Sequence, residues 1–267
     1  TIVISALLRV LRDANLSAHH RLAMSDLVKC FRGLGERHVP FLPYVMPVLF
    51  HTVRASEAGL REFLFGQLEA LVHVVGAHIC DYVGDVFALI RDFWAPGTIV
   101  PLLSLASKMS FVLNEEFRTH LPTLLPLMIR ELASDMSANR ANTLKVIRAF
   151  EVFGTHLEQY LHLVLPAFVA CVAEDGLPAN VAAVALQALC RLCLAMNFGD
   201  LAPRIVHPLV RLLEDPHKAD LRNDIMQLFC ALVLSLEADY AVFIPTVSKV
   251  LARQNIHHQP YESLVSR

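Results

Sequence analysis

Phe41-Leu42-Pro43-Tyr44-Val45-Met46-Pro47-Val48-Leu49 places one proline at the opening of a prospective helix and a second four residues later. Proline is tolerated in a first turn, where backbone N–H groups have no intrahelical partner. Pro47 falls one turn further in, and its spacing predicts a kinked or loosened helix. The phrase returns along the chain. His120 to Leu127 repeats it with Pro122 and Pro126, and Ala202 to Leu209 with Pro203 and Pro208. Tyr160 to Phe168 keeps the second proline as Pro166, and Phe243 to Lys249 the first as Pro245. Ile79 to Phe87 fits the same frame with Asp85 in the second slot.

That second slot is a ruler. Pro47, Asp85, Pro126, Pro166, Pro208 and Lys249 are separated by 38, 41, 40, 42 and 41 residues. A period near 40 with two helical segments per repeat is the signature of a HEAT-type array. A second marker keeps phase: Arg61, Arg140 and Arg222 each lie 14 residues after their proline, with Asn180 and Ile99 in the corresponding places of two other repeats. The fold expected is all-α: a HEAT-repeat α-solenoid of about six helix pairs plus a partial one. It is expected to be one continuous domain over 1–267, because no linker or low-complexity stretch interrupts it.

The helices follow from apolar periodicity and punctuation. Leu60, Leu64, Leu68, Leu71 and Val75 form one helical stripe closed by Gly76. Leu221, Ile225, Leu228 and Leu232 mark another. Helices are predicted over 2–12, from Ser17 to about Gly35, and over 39–54, with Ser17 and Ser56 as N-caps. Further helices are expected over 78–93, 99–113, 117–133, 138–153, 157–173, 178–196, 201–213, 219–236 and 240–253. A last one is expected to begin within 255–267.

Composition bounds the function. The chain has 267 residues, 55% of them hydrophobic, and a mean hydropathy of +0.49. Its longest run free of Asp, Glu, Lys and Arg is His38 to Val53, only 16 residues with two histidines and three prolines, a poor spanning helix. Stacked helix pairs bury both helices of each repeat, which accounts for the apolar content without lipid. The net charge is −2, with neither sign in a block, which argues against a nucleic-acid surface. No leader with a cleavage site is visible, and Thr1 in place of Met predicts a piece of a longer chain. Cys30, Cys80, Cys171, Cys190, Cys193 and Cys230 lie in apolar helical text, as free thiols of a reducing compartment do.

Each candidate for chemistry has a plainer reading. Cys190-x-x-Cys193 lacks two more ligands nearby for a structural zinc and has no preceding strand for a redox motif. His19-His20 and His257-His258 are adjacent pairs, which point about 100° apart on a helix and so make no metal face. His207 belongs to the repeated phrase. Gly33-x-Gly35 follows a helix and reads as its stop, not as a phosphate loop. Asn15-Leu16-Ser17 is a glycosylation sequon by pattern alone. No H-E-x-x-H, G-x-S-x-G, Walker, H-R-D or D-F-G motif occurs. No catalytic, cofactor-binding or metal residue is therefore expected, and no cofactor. Arg61, Arg140 and Arg222, being in phase with the repeat, are expected to form an internal ladder with acids or carbonyls of adjacent repeats.

Several phrases resemble a known family: Leu60 to Phe65, Tyr160 to Pro166, Arg204 to Arg211, and Phe243 to Leu251 running on to Ile256-His257-His258-Gln259-Pro260-Tyr261. They are similar to the target of rapamycin kinases, of the phosphatidylinositol-3-kinase-related family, over the whole chain. Agreement is weakest over 95–106 and 174–196. The resemblance falls in the middle helical-repeat block, ahead of the rapamycin-binding and kinase regions. It implies a scaffold without catalysis of its own, in a serine/threonine protein kinase of growth signalling. It also implies a homodimer through the full-length chain, a raptor-type subunit as partner, and a cytoplasmic location with peripheral attachment to lysosomal or vacuolar membranes. Interaction residues are unknown, since no short motif marks them. The rival reading is a free-standing HEAT adaptor, such as a transport receptor or phosphatase scaffold, which would carry polar capping repeats.

Overall fold

The computed structural model describes residues 2–137 and 139–266; Thr1, and with it the expected fragment start, lies outside the described residues, as does Ala138. Every regular element among the described residues is helical. The first pair is α1 (Ile2–Arg12) and α2 (His20–Leu34), the second α3 (Leu42–Ala55) and α4 (Ala58–Val75), the third α5 (Val83–Asp92) and α6 (Ile99–Leu113). Then come α7 (Leu121–Ser134) with α8 (Ala141–Phe153), α9 (Leu161–Ala173) with α10 (Ala179–Ala195), and α11 (Ala202–Glu214) with α12 (Arg222–Leu236). A shorter seventh pair is α13 (Ile244–Gln254) and α14 (Gln259–Val265). This is the HEAT-type solenoid that the 40-residue period implies.

Contacts divide the chain into two compact blocks, 1–124 and 125–267, and the division falls inside α7 rather than at a linker. In the first block, second helices stack on second helices (α2 on α4, α4 on α6) and first helices on first helices (α1 on α3, α3 on α5). In the second block α8, α10, α12 and α14 form one row, and α9, α11 and α13 the other. The α4 stripe ends up inside: Leu64, Leu68, Leu71 and Val75 are buried.

The structure corrects several local expectations. Most first helices begin three to five residues late, because a 3-10 segment precedes them, as at Gly35–Phe41, Gly76–Tyr82, Asn114–His120 and Gly154–Tyr160. Ser17 lies inside a 3-10 turn, which Asp13 caps by accepting from the Asn15 N–H. Ser56 does not cap α4; its hydroxyl donates back to the Thr52 carbonyl, so it closes α3 instead.

Five of the six connectors between successive pairs are held at two points, and the sixth by its anchor alone. Gly35, Gly76, Asn114, Gly154 and Glu237 open five of them, all with φ between 48° and 54°. A few residues on, His38, Ile79, Phe117, Leu157, Phe198 and Tyr240 are buried, one per connector. The left-handed residue turns the chain and the anchor pins it to the core.

Those turns also settle what the apolar runs are. Three helical stretches, 58–92, 141–173 and 216–242, are long and apolar enough to cross a membrane by length and composition. The first two are interrupted by Gly76 and Gly154 and the third by Glu237, each at positive φ, so each is a bent chain of shorter helices packed against neighbours. A bilayer span needs about 20 continuous helical residues.

Candidate functional site

Several side-chain hydrogen bonds cross from one repeat to the next, joining residues 37 to 41 positions apart. Arg21 donates to the Gly59 carbonyl at 2.6 Å, Thr52 to the Leu11 carbonyl at 3.2 Å, and Arg253 to Glu214 at 2.6 Å. Gln187 reaches Asp224 at 3.2 Å, and Arg191 pairs with Glu151.

The densest cluster surrounds the end of α9. Glu174 receives an ion pair from Arg140, one repeat earlier, and its backbone carbonyl accepts from Lys218 Nζ at 2.8 Å, one repeat later. Lys218 also donates to the Val172 carbonyl at 3.3 Å. Both cations are buried, Arg140 to 7% exposure and Lys218 to 9%. Carbonyls at a helix C-terminus lack intrahelical partners and carry the negative end of the helix dipole, so a cation there is doubly favoured. Beside this cluster Asp135 accepts from the backbone N–H and hydroxyl of both Ser137 and Thr143. Burial alone would raise its pKa; the four hydrogen bonds outweigh that and hold it below the ordinary carboxylate value.

Of the expected arginine ladder only Arg140 makes its bond to an adjacent repeat; Arg61 bonds carbonyls within its own helix pair. Arg61 donates to the Val53 carbonyl at 3.2 Å and to the Ser56 carbonyl, and lies over the Phe93 ring of the next repeat, 4.2 Å from its centroid. Arg140 pairs with Glu174. Arg222 does not take part: its Nε is buried without a hydrogen-bond partner among the described residues. Lys218, four residues earlier in the chain, does the work there instead. Sequence phase located Arg61 and Arg140 but missed Lys218, Glu174 and Asp135, because none of the three recurs through the repeats as the arginine does.

The other singled-out residues are structural. Cys190 is half-buried with its Sγ 3.8 Å from the Gln227 carbonyl, and Cys193 is buried; burial pushes both thiols above their ordinary pKa. His20 is buried against the Val10 and Asp13 carbonyls at 3.0 and 3.1 Å, while His19 is exposed. His258 caps α14 by accepting from the Tyr261 N–H at 3.2 Å, and its neighbour His257 faces Glu262 at 3.7 Å. His207 stands edge-on to Phe243. Gly35 ends α2 at φ 54°, as a helix stop should. Among the described residues no three His, Cys, Asp or Glu side chains are grouped to hold a metal ion.

Geometry therefore defines a class: a segment of helical-repeat solenoid in which side-chain hydrogen bonds and ion pairs help hold one repeat to the next. The fold is that of importin beta, whose crystal structure in an ammonium sulfate condition superimposes at TM-score 0.66 over 100% of this chain and 36% of that one, at 13% identity. Sequence relatives are more specific. The description "Serine/threonine-protein kinase mTOR domain" matches residues 1–76. Serine/threonine-protein kinase tor1 of Schizosaccharomyces pombe is 36% identical and serine/threonine-protein kinase mTor of Drosophila melanogaster 37% identical, each over 100% of this chain. Serine/threonine-protein kinase TOR of Arabidopsis thaliana is 32% identical over the same extent. The chain belongs to the target of rapamycin family, as a segment of its helical-repeat region. It spans 11% of the length of each of these relatives.

Proposed function

We propose that the segment is a non-catalytic scaffold within a target of rapamycin serine/threonine kinase. Its task is to hold a raptor-type subunit and to shape the kinase dimer for growth signalling, in the cytoplasm or at the surface of lysosomal or vacuolar membranes. One observation carries this reading: similarity to these kinases runs the whole length of a chain built of helix pairs. Stacked repeats offer long continuous surfaces, the usual means by which such arrays bind proteins.

Binding of the purified 267-residue chain to a purified raptor-type subunit, followed by light scattering, tests the reading. Co-elution as a defined complex is the expected result. Failure to bind it, with stable binding to a phosphatase catalytic subunit or a transport cargo, would make the chain a HEAT adaptor instead.

A further inference from the structure

In sequence neither sign of charge forms a block, but the stacking of first helices in the 125–267 block gathers one. Arg204, His207 and Arg211 are spaced by three and four residues, so they share one face of α11. All three are exposed, while Ile205, Val206, Leu209 and Leu213 on the other side are buried. α11 packs on both α9 and α13. α13 adds Lys249 and Arg253, both exposed and one turn apart, and α9 adds the exposed His162 and no carboxylate. Glu214 is the one acid that the three helices hold, and Arg253 engages it.

The remaining cations are uncompensated. Arg204, Arg211 and Lys249 have no ion-pair partner among the described residues. The connectors that flank α11 carry Asp200 and Asp215, and Asp215 is turned back onto the His217 N–H. The rest of the block has more acids than bases, so positive charge is segregated onto this face. Arg204 and Arg211 are about 10 Å apart along α11, and packed helices stand about 8–10 Å apart. Those spacings are about one Debye length at 0.1 M salt, so the fields of the three cations overlap and attract an opposite charge jointly.

Size and chemistry select the occupant. Strong nucleic-acid binders make about 6–10 phosphate contacts, and lipid-binding patches cluster about 4–8 cations. Three free cations fall short of both. α11 and α13 also present no exposed large apolar side chain, among the described residues, to enter a bilayer. A guanidinium fork donates to both oxygens of a carboxylate. An extended chain advances about 3.3 Å per residue, so about six residues cross two packed helices. We propose that the α11–α13 face docks an extended acidic segment of a partner protein, a short run of Asp and Glu laid across Arg204, Arg211 and Lys249. The proposal rests on the scaffold reading and gives it a surface and a partner chemistry.

The test uses the full 267-residue chain and a fluorescent peptide of about 12 residues with about six consecutive glutamates, followed by anisotropy. Saturable binding is expected, weakened by salt. Arg211→Glu with Lys249→Glu should weaken it at least about tenfold and should gain a lysine peptide of the same length. Lys145→Glu with Arg148→Glu makes the same change of net charge on α8 and should leave binding within about twofold. A melting temperature equal to the parent's checks that each variant folds; should the reversal lower it, Arg211→Gln with Lys249→Gln supplies the same comparison. Equal loss in the two charge-reversed variants, or binding unaltered by Arg211→Glu with Lys249→Glu, would overturn the proposal. So would tighter binding of phosphatidylserine vesicles or of a single-stranded oligonucleotide that the same variant abolishes, or self-association that it abolishes, which would assign the face to a lipid, a nucleic acid or a second copy. If a purified raptor-type subunit binds the parent chain and the peptide does not, the docking face falls and the scaffold reading stands. If the peptide binds through Arg211 and Lys249 and the subunit does not bind, the face stands and the raptor-type assignment falls.

Discussion

Glu237 is the residue whose replacement by glycine should make the protein more stable. It opens the connector after α12 with φ 50° and ψ −120°, the geometry of the first central position of a type II′ turn, which glycine normally fills. The equivalent position before α9 is Gly154, at φ 48° and ψ −125°. A side chain held there costs about 1–3 kcal/mol, and glycine gives back about 0.5–1 kcal/mol through its looser unfolded chain. Glu237 is exposed and donates or accepts no side-chain hydrogen bond among the described residues, so little else is lost. Glu237→Gly should therefore stabilise by about 1 kcal/mol, or raise Tm by about 2–4 °C. Gly154→Ala is the mirror experiment. A methyl group built there meets nothing within 4 Å, so its cost is conformational alone and should be of similar size and opposite sign. Both positions lie in the 125–267 block, and thermal unfolding of the whole chain by circular dichroism reports both. A lower Tm for Glu237→Gly, or shifts of the same sign for both variants, would refute the account of how the connectors turn.

Three other outcomes follow from the polar cluster and the thiols. Arg140→Met leaves Glu174 without its partner; a fully buried pair would lose about 3–5 kcal/mol, but Glu174 is 34% exposed and can regain water, so a loss of about 2 kcal/mol is expected in urea unfolding. Asp135→Asn should destabilise at neutral pH, and the gap to the parent should close on acidification: the folded pKa is held below 3.8, so Asp135's contribution is present above 3.8 and vanishes as pH falls through the folded value. Iodoacetamide at pH 7.5 should alkylate the exposed Cys80 first and spare Cys193 and Cys171, the latter pushed up to about 11 by burial, with all six thiols modified in urea and read by mass spectrometry.

The period was legible because every repeat must bury the same faces, and a solenoid writes that requirement into the chain again and again. The intervals between the proline slots forecast the separation of the residues that bond across repeats. Helix starts were not legible. Leu157, Phe117 and Ile79 are buried anchors of 3-10 connectors, and they fall close enough to the helical stripe that follows to pass for its first turn. The polar cluster was hidden for another reason. Arg140 is in phase with Arg61 and Arg222, yet Arg140 meets an acid, Arg61 two carbonyls, and the Nε of Arg222 no partner among the described residues. Register says which positions are equivalent; what each side chain meets depends on residues that differ from repeat to repeat.

His38 turns that limitation into an experiment. Five of the six connector anchors are Ile79, Phe117, Leu157, Phe198 and Tyr240; the sixth is His38, 3% exposed. Its ring stacks on Phe31 with centroids 5.5 Å apart, and Nδ1 bonds the Gly35 carbonyl, but Nε2 is buried with no partner among the described residues. An unsatisfied buried polar atom costs about 1–3 kcal/mol, and the Nδ1 bond returns about 1 kcal/mol. A phenyl ring keeps the stack on Phe31 and has no orphan nitrogen, as the anchors Phe117 and Phe198 already show. His38→Phe should therefore hold or raise the melting temperature, by up to about 1 kcal/mol in equilibrium unfolding. A clear fall in stability would mean that the imidazole is held by more than the Gly35 carbonyl, and that the histidine is the right residue for its place.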